Sequence, residues 1–172
     1  MPCDKTALFD LLEVLNGDLD RKITLIAVGG TAMTLLNLKT STIDIDFTIP
    51  KGDFAEFAKV LKNNPPGYKI DMWEDGRVFC QVLPTDYLEK SVPIKEYTKI
   101  SLRAINPIDI IATKTGRLEN RDEVDIKICI DSCGISEAEI RARASQVLPT
   151  YVGREEDYLD NLNLVVKKYV KK

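Results

Sequence analysis

The fold of this chain is decided by Val28-Gly29-Gly30-Thr31 and, after a spacer that ends at Ile43, by Asp44-Ile45-Asp46-Phe47. Before the glycines, Ile23-Thr24-Leu25-Ile26-Ala27-Val28 is an apolar, β-branched run that predicts a buried strand. Thr31 to Leu38 then reads as a short helix, and Thr42 to Ile49 as a second strand closed by Pro50. On a strand, residues two apart share a face, about 7 Å from each other. Asp44 and Asp46 therefore aim together, while Ile43, Ile45 and Phe47 take the opposite face. Two carboxylates so placed repel each other and resist burial without a cation. Mg²⁺, or Mn²⁺, suits them: the hard ion accepts one or two carboxylates and fills its octahedron with water and substrate phosphates.

Gly29 and Gly30 sit where the strand turns into the helix. Without a Cβ the backbone can approach a ligand closely, and N–H groups at a helix start bind phosphate. Thr31 adds a hydroxyl at the same place. Taken singly these features are bland, since Asp-x-Asp is usually a solvated strand face and Gly-Gly a turn. Joined as strand, Gly-Gly, helix, strand, Asp-Ile-Asp, they pair a phosphate cradle with a metal site, which is the equipment of phosphoryl-type transfer.

Outward from this segment, Leu8, Leu11, Leu12 and Leu15 predict a helix over 5–16 that stops at Gly17. Asp53 is expected to cap a helix over 54–62. Tyr68–Trp73 and Arg77–Leu83 read as a hairpin turning at Asp75-Gly76. Residues 84–98 look irregular, and 99–105 like another strand. After Asn106-Pro107 the pattern is helical, with helices expected near 108–115, 121–132, 136–147 and 154–170, and a capping box at Ser136 and Glu139. The fold class is α/β, a sheet core followed by a helical C-terminal part.

Composition narrows the chemistry. With 172 residues, 44% hydrophobic and 30% charged, the chain suits an ordinary globular protein, and a net charge of −3 gives no global field toward nucleic acid. There is no histidine, which removes Ser-His-Asp, Cys-His and His-zinc chemistry. Four cysteines, Cys3, Cys80, Cys129 and Cys133, are too sparse and irregular for a disulfide framework. The i, i+4 pair Cys129 and Cys133, with no histidine nearby, reads as buried thiols rather than a zinc site. Asp4, Lys5 and Asp10 interrupt any signal peptide, and no apolar run is long enough to span a membrane. The expectation is a cytoplasmic protein.

Gly29-Gly30, the spacer and Asp44-Ile45-Asp46 together resemble the hallmark of the nucleotidyltransferase superfamily of the DNA polymerase β type. The lead-in Lys39-Thr40-Ser41-Thr42-Ile43 is similar to the small prokaryotic branch of minimal nucleotidyltransferases and abortive-infection (AbiEii-like) toxins. So is the stretch from Asn106-Pro107-Ile108-Asp109 through Lys114, Arg121-Asp122 and Asp125. The resemblance implies a mixed β-sheet nucleotidyltransferase core over residues 1–105, with a helical part over 106–172 packed on it. It implies Mg²⁺ (or Mn²⁺) on the paired acids, and transfer of a nucleoside monophosphate from a nucleoside triphosphate to a hydroxyl on RNA, protein or a small molecule. A toxin–antitoxin or defence role, with an antitoxin partner, belongs to the same expectation.

The superfamily usually has a third carboxylate on a following strand. Asp71, between Ile70 and Met72, and Gln81, where an acid would be replaced, compete for that place. In a hairpin turning at Asp75-Gly76, Asp71 faces Cys80 and Gln81 faces Ile70, so at most one looks into the site. Asp71 is the expected metal ligand; Gln81 there would leave a protein that only binds nucleotide. Lys114 is the candidate cation for triphosphate oxygens, unless it is a solvated helix lysine. Arg121, Asp122 and Asp125 read as site residues or as a surface ion network, and Tyr68 and Trp73 as base-stacking or core residues. The rival is a catalytically silent nucleotide-binding or interaction module on the same fold. A dinucleotide oxidoreductase is disfavoured because the glycine spacing is not G-x-G-x-x-G.

Overall fold

A computed structural model describes residues 2–170 of the chain. The order begins β1 (Cys3–Asp4), α1 (Lys5–Asp18), β2 (Ile23–Ala27), α2 (Gly29–Leu35), β3 (Ser41–Thr42), β4 (Ile45–Ile49), α3 (Lys51–Asn63) and β5 (Ile70–Glu74). It continues β6 (Arg77–Val78), β7 (Gln81–Val82), α4 (Tyr87–Lys90), β8 (Val92–Glu96) and β9 (Ile100–Ala104). Helices α5 (Pro107–Thr115), α6 (Asn120–Cys133), α7 (Glu137–Val147) and α8 (Glu155–Tyr169) complete it, with a 3-10 turn at Leu148–Thr150. The fold is a mixed α/β sheet with a helical C-terminal part.

The main sheet has the order β5-β4-β2-β9-β8. β2 runs parallel to β9 and antiparallel to β4, and β4 runs parallel to β5. β2 and β4 are covered on both sides, so they are apolar along most of their length, and all five residues of β4 are buried. Ile45, Phe47 and Ile49 face the side of α3, where the Phe47 ring meets Phe57 edge-on at 6.1 Å between centroids. The other side carries α2, against which α5 packs. Local signals set the helix starts: Asp4 accepts from the Ala7 N–H, Asn106 caps α5 ahead of Pro107, and Ser136 with Glu139 forms the capping box of α7.

Four expectations are corrected. The strand expected over 42–49 breaks at residues 43–44, because the Asp44 carbonyl accepts from the Thr31 and Thr42 hydroxyls rather than from a strand. Ile43 is consequently 68% exposed instead of facing the core, and Asp44 sits on the bend that feeds β4. The hairpin over 68–83 is replaced: β5 joins β4 in parallel, and β6 pairs with β7. Asp75 and Gly76 do turn the chain at φ +48 and +78, but their N–H groups bond Ile49 O and Thr48 Oγ1, so the turn is docked on β4. Asp53 does not cap α3; its carboxylate accepts from the Thr24 N–H at 2.9 Å and pairs with Arg21. Residues 84–98 hold α4 and β8 rather than irregular chain. Of the cysteines, Cys3 and Cys129 are buried, Cys80 is half-buried and Cys133 is exposed, all of them free.

Candidate functional site

The strand register gathers the acids. β4 and β5 pair in parallel with Asp46 opposite Asp71, and neighbouring strands lie about 4.8 Å apart, so the two side chains leave the same face of the sheet. Asp44 sits two residues upstream on the bend. Asp46 is only 8% exposed, and its Oδ2 lies 3.5 Å from where a Cβ on Gly29 would stand. The carboxylate therefore points to the turn between β2 and α2.

Thr31 welds that turn to the acids. Its hydroxyl accepts from the Asp46 N–H at 2.9 Å and donates to the Asp44 carbonyl at 3.2 Å. Its immediate task is thus to fix the Asp-Ile-Asp backbone. Gly29 holds φ +53, which L side chains rarely adopt. A Cβ on Gly30 would stand 2.8 Å from Thr42 Oγ1, so Gly29 is favoured by its backbone angle and Gly30 by close approach.

Like charges and burial act together on Asp46. Burial raises its pKa first, the charges of Asp71 and Asp44 add to this, and Lys69 and Arg117 oppose it without cancelling it. The result is a carboxyl pushed up to about 7. Among the described residues no cation forms an ion pair with Asp46, whereas Asp71 pairs with Lys69 at 2.6 Å. No group of three or more His, Cys, Asp or Glu side chains stands ready-made around a metal position among the described residues. All the donors at hand are carboxylate oxygens, and Mg²⁺ needs only one or two of them when phosphates and water supply the rest. The donor set fits the ion by that criterion.

Gln81 is spent elsewhere. It is buried, and its Nε2 donates to Val78 O at 3.2 Å and Thr113 O at 2.9 Å, tying β6 and β7 to α5. Lys114 is 3% exposed, with its Nζ 2.7 Å from Asp122 Oδ1 and 2.9 Å from Asp125 Oδ2. Asp122 and Asp125 belong to this interior cluster, while Arg121 is exposed and pairs with Glu119. Lys39 reaches Asp125 at 2.9 Å, which binds the helical part to the loop ahead of the acids. Trp73 is half-buried with its ring 5.4 Å from that of Phe79, and Tyr68 packs on the core.

Three residues at this place escaped the sequence reading. Lys69 stands two residues before Asp71, just ahead of β5, a spacing that could have flagged it. Phe79 adopts φ +53 and brings its ring tip 3.3 Å from the Gly29 Cβ position; no local sequence signal announces that. Arg117 stacks on Phe79 at 4.4 Å and is clamped by Asp122; its place one turn beyond Lys114 was the available hint.

Comparison with protein families matches residues 6–171 to the family described as Nucleotidyltransferase of unknown function (DUF6036). Comparison with curated proteins and with solved structures found no match. No helix among the described residues is long and apolar enough to cross a membrane.

Proposed function

The chain belongs to a family of nucleotidyltransferases of unknown function, and from that premise we propose that it moves a nucleoside monophosphate from a nucleoside triphosphate to a hydroxyl acceptor. The acceptor oxygen bonds the α-phosphorus as pyrophosphate leaves. Asp44, Asp46 and Asp71 hold Mg²⁺ or Mn²⁺, and Gly29, Gly30 and Thr31 shape the phosphate cradle. The single observation that carries this reading is Asp46: a buried carboxyl beside two others, with no paired cation among the described residues. A buried, unpaired charge is costly unless a ligand compensates it.

A bound Mg²⁺ supplies positive charge to the triphosphate oxygens and to the charge that develops during transfer. The chain's own residues do the rest. Thr31 holds Asp44 and Asp46 in one orientation through their backbone. The bare backbone at Gly29-Gly30 lets phosphate come close. Asp71, exposed enough to leave Lys69, joins the ion or takes the proton from the acceptor hydroxyl. Lys114 serves the nucleotide from inside, by holding Asp122.

Kinship to the DNA polymerase β type and to the abortive-infection branch rests on the motifs of residues 28–46 and 106–125. A toxin–antitoxin or defence role, an antitoxin partner and a cytoplasmic setting rest on that kinship. The acceptor is RNA, protein or a small molecule. The test is incubation with each labelled triphosphate in the presence of total RNA, protein and the chain itself. Transfer by the wild type and none by Asp46→Asn is expected. Binding of triphosphate without transfer to any acceptor would instead favour a silent nucleotide-binding or interaction module. The Lys69–Asp71 pair and the lack of a ready-made three-acid group are the observations on that side.

A further inference from the structure

Arg117 is held beside this site by a buried carboxylate on one edge and an aromatic ring on one face. Asp122, fully buried, takes the guanidinium side-on: Nε donates to Oδ2 at 2.8 Å and Nη2 to Oδ1 at 2.8 Å. The same carboxylate receives Lys114 at 2.7 Å, and Lys114 is itself held by Asp125. The arginine is therefore fixed in position and direction by a buried cluster, not left to swing on its stem. One planar face lies on the Phe79 ring, with Cζ 4.4 Å from the ring centroid. That ring in turn leans over Gly29, at the point the Asp46 carboxylate also faces.

A guanidinium has five N–H donors in a rigid fork. The Asp122 clamp uses the Nε edge, which leaves the Nη1 edge for an acceptor outside the cluster. The side chain is partly exposed, and its charge acts on Asp46. Phe79 stands with φ +53, an arrangement disfavoured for a bulky residue and found where surrounding structure imposes it, often at ligand sites. A planar cation with a free edge, stacked on an aromatic ring that also reaches the Gly29 turn beside Asp46, matches the bidentate recognition of phosphate oxygens.

We propose that Arg117 binds the phosphate tail of the nucleoside triphosphate beyond the phosphate that is transferred, with Phe79 as its backing and Asp122 and Lys114 as positioning residues. This rests on the nucleotidyl-transfer reading of the site. Lys114 meets no phosphate directly; it holds Asp122 so that the arginine stands where it does. The site consequently distinguishes triphosphate from monophosphate through one arginine on α5's C-terminal flank.

The experiment measures, by calorimetry with Mg²⁺ on the full chain, the affinity for a nucleoside triphosphate and for the monophosphate of the same base. Arg117→Gln is expected to lose about 10- to 100-fold in triphosphate affinity, the range of a charge-assisted hydrogen-bonded pair, and to leave monophosphate affinity within about twofold. Arg117→Lys keeps the charge but not the fork and should fall between. Phe79→Leu, which leaves the Asp122 clamp intact, should lose a fewfold in triphosphate affinity only. A merely structural arginine would weaken both nucleotides together, and that outcome overturns the inference. So does an unchanged triphosphate affinity in folded Arg117→Gln or, if that variant does not fold, in Arg117→Lys. A wild type that binds no triphosphate at all would instead bring down the transfer reading, and this inference with it.

Discussion

Asp46 and Asp122 are both buried aspartates, and they stand in opposite electrostatic worlds. Around Asp122, burial alone would raise the carboxyl, but hydrogen bonds from Arg117 and Lys114 outweigh it and hold the pKa down to about 2. Around Asp46, burial is joined by Asp71 and Asp44, and the pKa rises to about 7. In the first cluster the chain supplies its own cations; in the second, among the described residues, the only ion pair goes to the neighbour, Lys69 to Asp71. The difference separates a charge compensated within the fold from one that its neighbours leave uncompensated. The two clusters are joined through Arg117, whose charge belongs to the first and is felt by the second.

The largest effect should come from breaking the compensated cluster. Asp122→Ala would strand Lys114 in the interior and free Arg117, and losing one partner of a buried pair costs about 3–5 kcal/mol. For a chain of this size that is a fall of roughly 6–20 °C in Tm, to be read by thermal melts. A loss of only a degree or two would show that the cluster is not a structural keystone.

The opposite sign is expected at Asp46. Its folded pKa lies above its unfolded one near 3.9, so the protonated form is favoured by the fold. That contribution is fully present below about pH 4 and is lost as pH rises through about 7. Without metal, wild-type stability should therefore decline between pH 4 and 7. Asp46→Asn, neutral throughout, should be the more stable protein at pH 8 by on the order of 2 kcal/mol. Melts of both proteins at pH 5 and 8 with chelator check this; a destabilised Asp46→Asn at pH 8 would erase the contrast between the clusters.

Smaller changes sharpen it. Gly30→Ala puts a methyl 2.8 Å from Thr42 Oγ1, and overpacking of this kind costs about 1–2 kcal/mol. Because Thr42 and Thr31 share the Asp44 carbonyl, triphosphate affinity should fall further than stability does, as measured by paired melts and titrations. Lys69→Met removes the competitor for Asp71. An exposed pair is worth at most about 1 kcal/mol, so metal affinity should rise by no more than about fivefold, and a decrease would show that Lys69 assists the ion.

Much of the fold and one half of this contrast, the paired acids, were legible in the sequence; the buried Lys114–Asp122–Asp125 cluster was not. The strand-Gly-Gly-helix-strand order and the paired acids could be read because apolar runs, glycines and alternating residues report on neighbours close in sequence. The helical C-terminal part and its caps followed from Asn106-Pro107 and Ser136-x-x-Glu139. Pairing between distant strands was not legible. Asp75-Gly76 carries a strong hairpin signal, yet β5 found a better edge on β4, and a local turn says nothing of a competing edge. For the same reason the side-by-side placement of Asp46 and Asp71 comes from a parallel register, not from hairpin parity. The bend at residues 43–44 depends on hydroxyls from Thr31 and Thr42, and the left-handed Phe79 on packing against Gly29 and Arg117. Such features belong to tertiary contacts, which one sequence does not display.

The central claim, that the Asp46 cluster awaits a cation, is tested most directly by calorimetry of Mg²⁺-dependent triphosphate binding at pH 6 and pH 8, in the wild type and in Asp46→Asn. Metal requires the ionised carboxylate, and a group with a pKa of about 7 is about one-tenth ionised at the lower pH and nine-tenths at the higher. The account predicts wild-type binding that strengthens close to tenfold across this interval, and weak binding in Asp46→Asn that does not change with pH. Equal metal-dependent binding by the two proteins, or a wild type indifferent to pH, would contradict it.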